Sequence, residues 1–382
     1  MKKRCFSSGM GGASLVILAV TTLLVLSPAG CGSNGENDAV TSGGDEAITI
    51  TDDGGREVAI PTRVDKVFCT SPVGTYLVYT LAPDKLAGWN IKPSKLEQAY
   101  IPEEYRPVVG LGGWFGKNTT GNVEEIIKAA PDLVLSVGDI DESAISDADR
   151  IQNLLNIPVV LVESTLATTG DCYRFIGGLL GEEERAEQLA EYSDRVIAKA
   201  QRLATQIPEG DRVTVYYAEG AKGLYTDPEG SSHTEVFTLV GARNVAEVAL
   251  DDAFEGYGMS PVSLEQVIAW DPQYVFVASD PEGEMNVYDH ITTGGDWDTI
   301  DAVKNGDVYQ IPHGPFDWLD RPYSIARMLG IQWVGDLLYP EQWDIDIRET
   351  TKEFYRLFYH YELSDAQFEE LTEHALATDS PE

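Results

Sequence analysis

The sequence predicts an α/β protein of two lobes, each built on a mainly parallel sheet, with one long helix joining them. Three observations carry that expectation. The chain matches itself at a spacing of 141 residues, each matching half alternates strand and helix patterns, and an unbroken helical stretch lies between the halves.

The elements are taken in chain order. Lys2, Lys3 and Arg4 precede an apolar run from Ala13 to Leu26, the pattern of a secretory signal over residues 1–30 and short for a membrane span. The run ends in Ser27-Pro28-Ala29-Gly30-Cys31, which resembles the signal of bacterial lipoproteins and makes Cys31 the expected lipidated mature N-terminus. The rest of segment 31–47 is rich in Gly, Ser, Asn and Asp without apolar periodicity. It reads as a flexible tether with a span of about 20 Å.

An N-terminal α/β lobe is expected over 48–181. Lys66 to Cys69 reads as a strand, Thr75 to Leu81 as a helix and Leu86 to Trp89 as a second strand. Asn122 then caps a short helix with Glu125 at its third position, Pro131 closes it, and Leu133 to Val137 is a strand. Residues 182–206 place Leu189, Tyr192, Val196 and Leu203 at helical spacing, a linker helix about 36 Å long.

The C-terminal α/β lobe, 207–345, repeats the first. Arg212 to Ala218 is a strand, Thr234 to Val240 a helix and Asn244 to Val248 a strand. Ser263, with Gln266 at the third position, opens the second capped helix, followed by Pro272 and the strand Tyr274 to Ala278. Residues 346–382 are expected to be C-terminal helices and tail. Alternation of this kind favours Rossmann-like lobes with the ligand cleft between them.

Composition excludes some function classes. A formal net charge of −36 leaves no clustered cations for nucleic-acid phosphates. The chain carries no His-Glu-x-x-His, no Gly-x-Ser-x-Gly and no Walker A run, so no enzyme is expected and no cofactor is called for. Gly110-Leu111-Gly112-Gly113-Trp114-Phe115-Gly116 has Phe115 where a dinucleotide fingerprint needs glycine, and reads as an ordinary loop. None of the five histidines is paired at metal-ligand spacing, so no metal site is assigned, although His233 and His313 in strand-end loops could converge. Cys69 and Cys172 are either a disulfide or two buried thiols.

In open parallel sheets, ligands bind beyond the carboxyl ends of the strands. The loops there supply the candidate ligand-binding residues. They are Ser71, Trp89, Asn90, Trp114 and Phe115 from the first lobe, and Tyr217, Ser231, Ser232, His233, Tyr257, His313, Phe316, Trp318 and Arg321 from the second. Aromatics in glycine-rich loops suit an apolar pocket with a few polar anchors, or else cover the lobe surface. Arg321 could hold an anionic group or pair with Asp317 or Asp320; Ser231 and Ser232 could form a capping box with Glu235 or receive an anion.

Several stretches together resemble the ABC-type substrate-binding proteins for iron-siderophore complexes, cobalamin and haem, a family in which some members bind molybdate or tungstate. They are Thr51 to Val58 with Pro61, Val67 to Thr70, Asn122-Val123-Glu124 with Pro131-Asp132-Leu133-Val134, Ser263-Leu264-Glu265-Gln266, Leu329 to Trp333 and Leu338-Tyr339-Pro340. The resemblance implies a monomeric lipoprotein outside the cytoplasm, anchored to the cell membrane by Cys31, that captures a small molecule and delivers it to an ABC permease and its ATPase. It implies a metal chelate, a ferric siderophore first, with molybdate or tungstate, cobalamin, haem or a bare metal ion as alternatives. It also implies that Glu124 and Glu265, the acidic starts of the repeated helices, dock on the permease.

Overall fold

Two parallel sheets organise the computed structural model, which describes residues 47–116, 119–249, 259–280, 285–321 and 323–377. Strands β1 (Ala47–Thr51) and β2 (Glu57–Pro61) form an antiparallel hairpin at the entry of the first lobe. The first parallel sheet has the order β3 (Val67–Cys69), β4 (Leu133–Gly138), β5 (Val159–Glu163). The second has the order β11-β10-β6-β8, where β6 is Thr214–Ala218, β8 Arg243–Asn244, β10 Tyr274–Val277 and β11 Val308–Gln310. A small antiparallel pair, β7 (Tyr225–Thr226) with β9 (Ser260–Pro261), sits beside it. The expected strand Leu86 to Trp89 is instead extended chain that bridges Val67 and Gly110, because it meets each neighbour at a single point.

Side chains of the strands alternate between two cores, as the two-residue period requires. Val67 and Cys69 face inward while Phe68 faces out. Likewise, Val215 and Tyr217 face inward while Tyr216 and Ala218 face out. The outward faces build separate clusters, one per lobe. The inward faces share one continuous core.

Helices supply the shared part of that core. In the first lobe α1 (Pro72–Leu81), α2 (Val123–Ala129), α3 (Glu142–Leu155) and α4 (Thr169–Leu180) cover the sheet. The linker α5 runs over Glu183–Ala204, 22 residues, or about 33 Å. Its buried stripe of Ala186, Leu189, Ala190, Ser193, Val196, Ile197, Ala200 and Leu203 faces the shared core. In the second lobe, α6 (Glu235–Leu239), α7 (Leu264–Trp270), α8 (Val287–Thr293) and α9 (Asp301–Asn305) precede α10 (Arg327–Leu338). The chain ends in α11 (Pro340–Trp343), α12 (Ile347–Phe358) and α13 (Asp365–Leu371). Aromatic residues of α12, Phe354, Tyr355 and Phe358, join the shared core. Among the described residues no helix is long and apolar enough to cross a membrane.

Candidate functional site

Strand ends and the loops that leave them create the site. After β6 the chain turns back through Gly220 and Gly223, both at φ of +68°, and Glu219 pairs its backbone with Tyr225 at 2.8 and 3.1 Å. That hairpin buries the Glu219 carboxylate and leads to Asp227, which is fully buried and whose carbonyl accepts from Asn244 Nδ2 at 2.9 Å. Ser231 donates to Asp227 Oδ1 at 2.8 Å and caps the turn Ser232–Thr234 by accepting from the His233 amide at 3.2 Å.

The opposite wall is the loop 312–321. Asp317 organises it by accepting from the amides of Leu319 and Asp320 at 2.7 and 2.8 Å. α10 presses directly against this loop: a Cβ at Gly330 would lie 1.9 Å from the Trp318 carbonyl oxygen, so only glycine permits the approach. The loop thereby presents Asp320 and Arg321 to the first wall. Arg321 Nε lies 3.1 Å from both Glu219 and Asp320, and its terminal nitrogen bonds Asp227.

His233 completes the cluster. Its Nδ1 bonds Asp320, and its Nε2 lies 3.4 Å from Arg321 Nη1, so the tautomer that satisfies both is neutral with the proton on Nδ1. Burial first, and Arg321 second, push its pKa down to about 4. Burial also pushes Glu219 and Asp320 well above the usual carboxylate range, against the opposing pull of Arg321. One donor atom from each of Asp227, His233 and Asp320 lies within 4.8 Å of the others. At the rim Tyr323 stacks on His233 with ring centroids 4.8 Å apart, bonds Ser232 at 2.5 Å and lies under Arg327, which pairs with Glu235 at 3.1 Å.

His313 belongs to a different group at the seam between the lobes. Its Nε2 bonds Glu97 of the first lobe at 2.8 Å, and its Nδ1 lies 3.2 Å from Ser279 and 3.9 Å from Asp317. Burial opposes its charge, but the hydrogen bonds to Asp317 and Glu97 outweigh burial and push its pKa up to about 9. Glu97 is correspondingly held below the usual range by His313, despite burial. A cavity of 250 Å³ opens beside this pair, lined by Glu97, Tyr100, Asp280, Glu370 and His374 among others. His233 and His313 therefore do not converge.

Several expected contact residues are core or scaffold instead. Trp318, 0% exposed, packs edge-on against Trp333, and Trp89 is 1% exposed. Phe316 inserts between the lobes with its ring 3.9 Å from that of Tyr76, and Tyr217 packs on Phe237. Loop aromatics lack a period, so only the tertiary fold decides which way they turn. Asn90 spends its polar atoms on Thr75 and on the carbonyls of Cys69 (2.8 Å) and Gly112 (2.7 Å). It fixes the glycine-rich loop, whose Gly113 would place a Cβ 2.4 Å from the Thr70 carbonyl. Ser231 and Ser232 form no capping box with Glu235, because Glu235 is drawn to Arg327 and Ser232 to Tyr323. Half-buried Ser71, Trp114 and Phe115 remain beyond the ends of the first-lobe strands, with Trp114 edge-on to Phe68. Tyr257 and Cys31 lie outside the described residues. Cys69 and Cys172 are free and buried, and burial pushes the Cys172 thiol up to about 12.

Glu219, Asp227, Tyr323 and Arg327 were not anticipated from the sequence. The available signal was position: Glu219 immediately follows a strand, and Asp227 follows the next, but carboxylates are so abundant in this chain that neither stood out.

Residues 98–314 match the family described as "Periplasmic binding protein". The chain is similar to the molybdate-binding protein MolA of Haemophilus influenzae, 23% identical with 81% of this chain and 90% of that protein covered. It is also similar to the iron(3+)-hydroxamate-binding protein FhuD of Bacillus subtilis, 24% identical over 80% of this chain and 92% of that one. Among solved structures, an ABC transporter solute binding protein from Sulfurospirillum deleyianum superposes with a TM-score of 0.76 at 27% identity, covering 85% of this chain and 99% of that one.

Proposed function

We propose, from the premise that this chain belongs to the periplasmic binding protein family and is the substrate-binding component of an ABC importer, that its ligand is an uncharged ferric siderophore held between the lobes. The protein is a transport component and no enzyme.

The charge balance around Arg321 carries the ligand reading. Its guanidinium is committed to Glu219, Asp227 and Asp320, Arg327 is committed to Glu235, and His233 is held neutral. A bare tetrahedral oxyanion needs a surplus of donors and positive field, and here acceptors outnumber cations. A chelate that has already wrapped its metal brings no such demand. It offers apolar surface to Tyr323, Trp114 and Phe115. A second reading, a bare cation, is favoured by the donor atoms of Asp227, His233 and Asp320, where an ion would take the place of the guanidinium.

Intrinsic fluorescence titration of the purified protein against ferric siderophores, haem, cobalamin, molybdate, tungstate and divalent metal ions tests this. Saturable binding of a ferric hydroxamate is expected. Saturable binding of molybdate or tungstate with no response to any chelate overturns the reading, and a response to a free metal ion alone promotes the second.

Delivery is assigned to Glu124 and Glu265 as the docking acids, with a lipidated Cys31 holding a monomeric protein at the membrane. Charge reversal of both glutamates is expected to abolish uptake at unchanged ligand affinity, and Cys31→Ser to release soluble protein. Wild-type uptake in the first, or membrane retention in the second, removes the corresponding assignment.

A further inference from the structure

The two short helices α2 and α7 repeat one another side chain by side chain. Asn122 and Ser263 cap them by accepting from Glu125 and Gln266 amides. Ile126 and Val267 are the buried anchors, Glu124 and Glu265 are exposed, and both helices end on a left-handed residue, Ala130 and Asp271, at φ of 51° and 43°. Each then feeds a strand at the same place in its sheet, β4 beside β3 and β10 beside β6.

One feature of this repeat has no use inside either lobe. Ile127 is 50% exposed and Ile268 is 38% exposed, and they occupy equivalent positions of the two helices. Each stands three residues after its glutamate, so Glu124 and Ile127 share one helical face, as do Glu265 and Ile268. Among the described residues Glu124 and Glu265 have no ion pair, whereas the neighbouring Glu125 is tied to Lys128 at 3.1 Å. A β-branched apolar residue exposed on a short helix gains nothing for folding, and here the same choice is made twice.

We infer that Ile127 and Ile268 are the apolar anchors of the surface that docks on the importer's membrane subunits, each seated in a socket beside the basic group that receives the adjacent glutamate. The inference rests on the docking reading above and adds to it the contact that holds the complex once charge has steered it. Charge argues for this occupant. The chain carries a net charge of −36, so a second copy would bring like charge against Glu124 and Glu265, while a basic partner with two equivalent sockets matches both pairs at once.

The division of labour is testable, because steering charges act on association rate and salt dependence, whereas buried apolar anchors act on dissociation. Purified full-length protein, without added ligand, would be bound to its permease complex in nanodiscs at several salt concentrations. Ile127→Ser and Ile268→Ser are each expected to weaken affinity about tenfold, and the double variant about a hundredfold, through faster dissociation, with unchanged salt slope and melting temperature. Ile→Leu at both positions is expected to restore binding. The Glu124→Lys, Glu265→Lys variant should instead slow association and flatten the salt slope. Wild-type association of the double serine variant, with the glutamate variant impaired, overturns the anchor role and leaves the docking reading standing. Wild-type association of both overturns the docking reading itself. A wild-type dimer in sedimentation that the double serine variant abolishes would assign this face to a second copy and also overturn the inference.

Discussion

His233 and His313 are both partly buried imidazoles beside carboxylates in the second lobe, yet they are driven in opposite directions. His233 is pushed down to about 4, by burial and by Arg321. His313 is pushed up to about 9, because Glu97 and Asp317 outweigh its burial. The carboxylates around His233, Asp227 and Asp320, are already engaged by a guanidinium. Those around His313, Glu97 and Asp317, pair with no arginine or lysine among the described residues, so the imidazole itself serves as the cation of the group. The comparison teaches that an acidic surrounding does not by itself charge a histidine; what matters is whether another cation has claimed the carboxylates first.

The largest expected effect comes from removing that claimant. Arg321→Ala removes the shared partner of three buried carboxyl groups, Glu219, Asp227 and Asp320, at a cost of about 3–5 kcal/mol at neutral pH by denaturant unfolding. In the same variant the His233 pKa, followed by NMR, should rise above its wild-type value as the carboxylates turn to it. A downward or unchanged His233 pKa would break the comparison.

His313→Ala tests the other side, since it removes the cation between Glu97 and Asp317 and the hydrogen bond that ties it to Glu97 of the first lobe. A loss on the order of 3 kcal/mol near neutral pH is expected. The sign of the pH dependence is set by the direction of the shift. A histidine whose pKa is raised in the folded state contributes fully below its unfolded value, near 6.5, and that contribution fades as pH rises to about 9. Wild-type stability should therefore decline from pH 6.5 to 9, and the alanine variant should show a flatter profile. Parallel profiles would mean that His313 is not charged in the folded protein.

The smallest effect is expected at Ser231, whose hydroxyl donates to Asp227 and accepts from the His233 amide. Ser231→Ala should cost about 1 kcal/mol and shift the His233 titration only slightly. A loss as large as that of Arg321→Ala would show that the turn, and not the guanidinium, holds the cluster together.

Sequence by itself determined the repeated architecture, because its signals are local. Caps, the prolines that close α2 and α7, the two-residue alternation of β-formers and the apolar stripe of α5 each act within a few residues, and each was legible to within a turn or so. The tertiary structure alone decided the site. Arg321 meets Glu219 and Asp227 across 102 and 94 positions of chain, and His313 meets Glu97 across 216. No local pattern encodes such meetings, which depend on where strand ends fall in the two sheets. The same holds for Trp318 and Phe316, which stand in one loop with Arg321. Whether each of them fills the core or faces the cleft was settled by the approach of α10 and by the room the first lobe leaves between its aromatic rings.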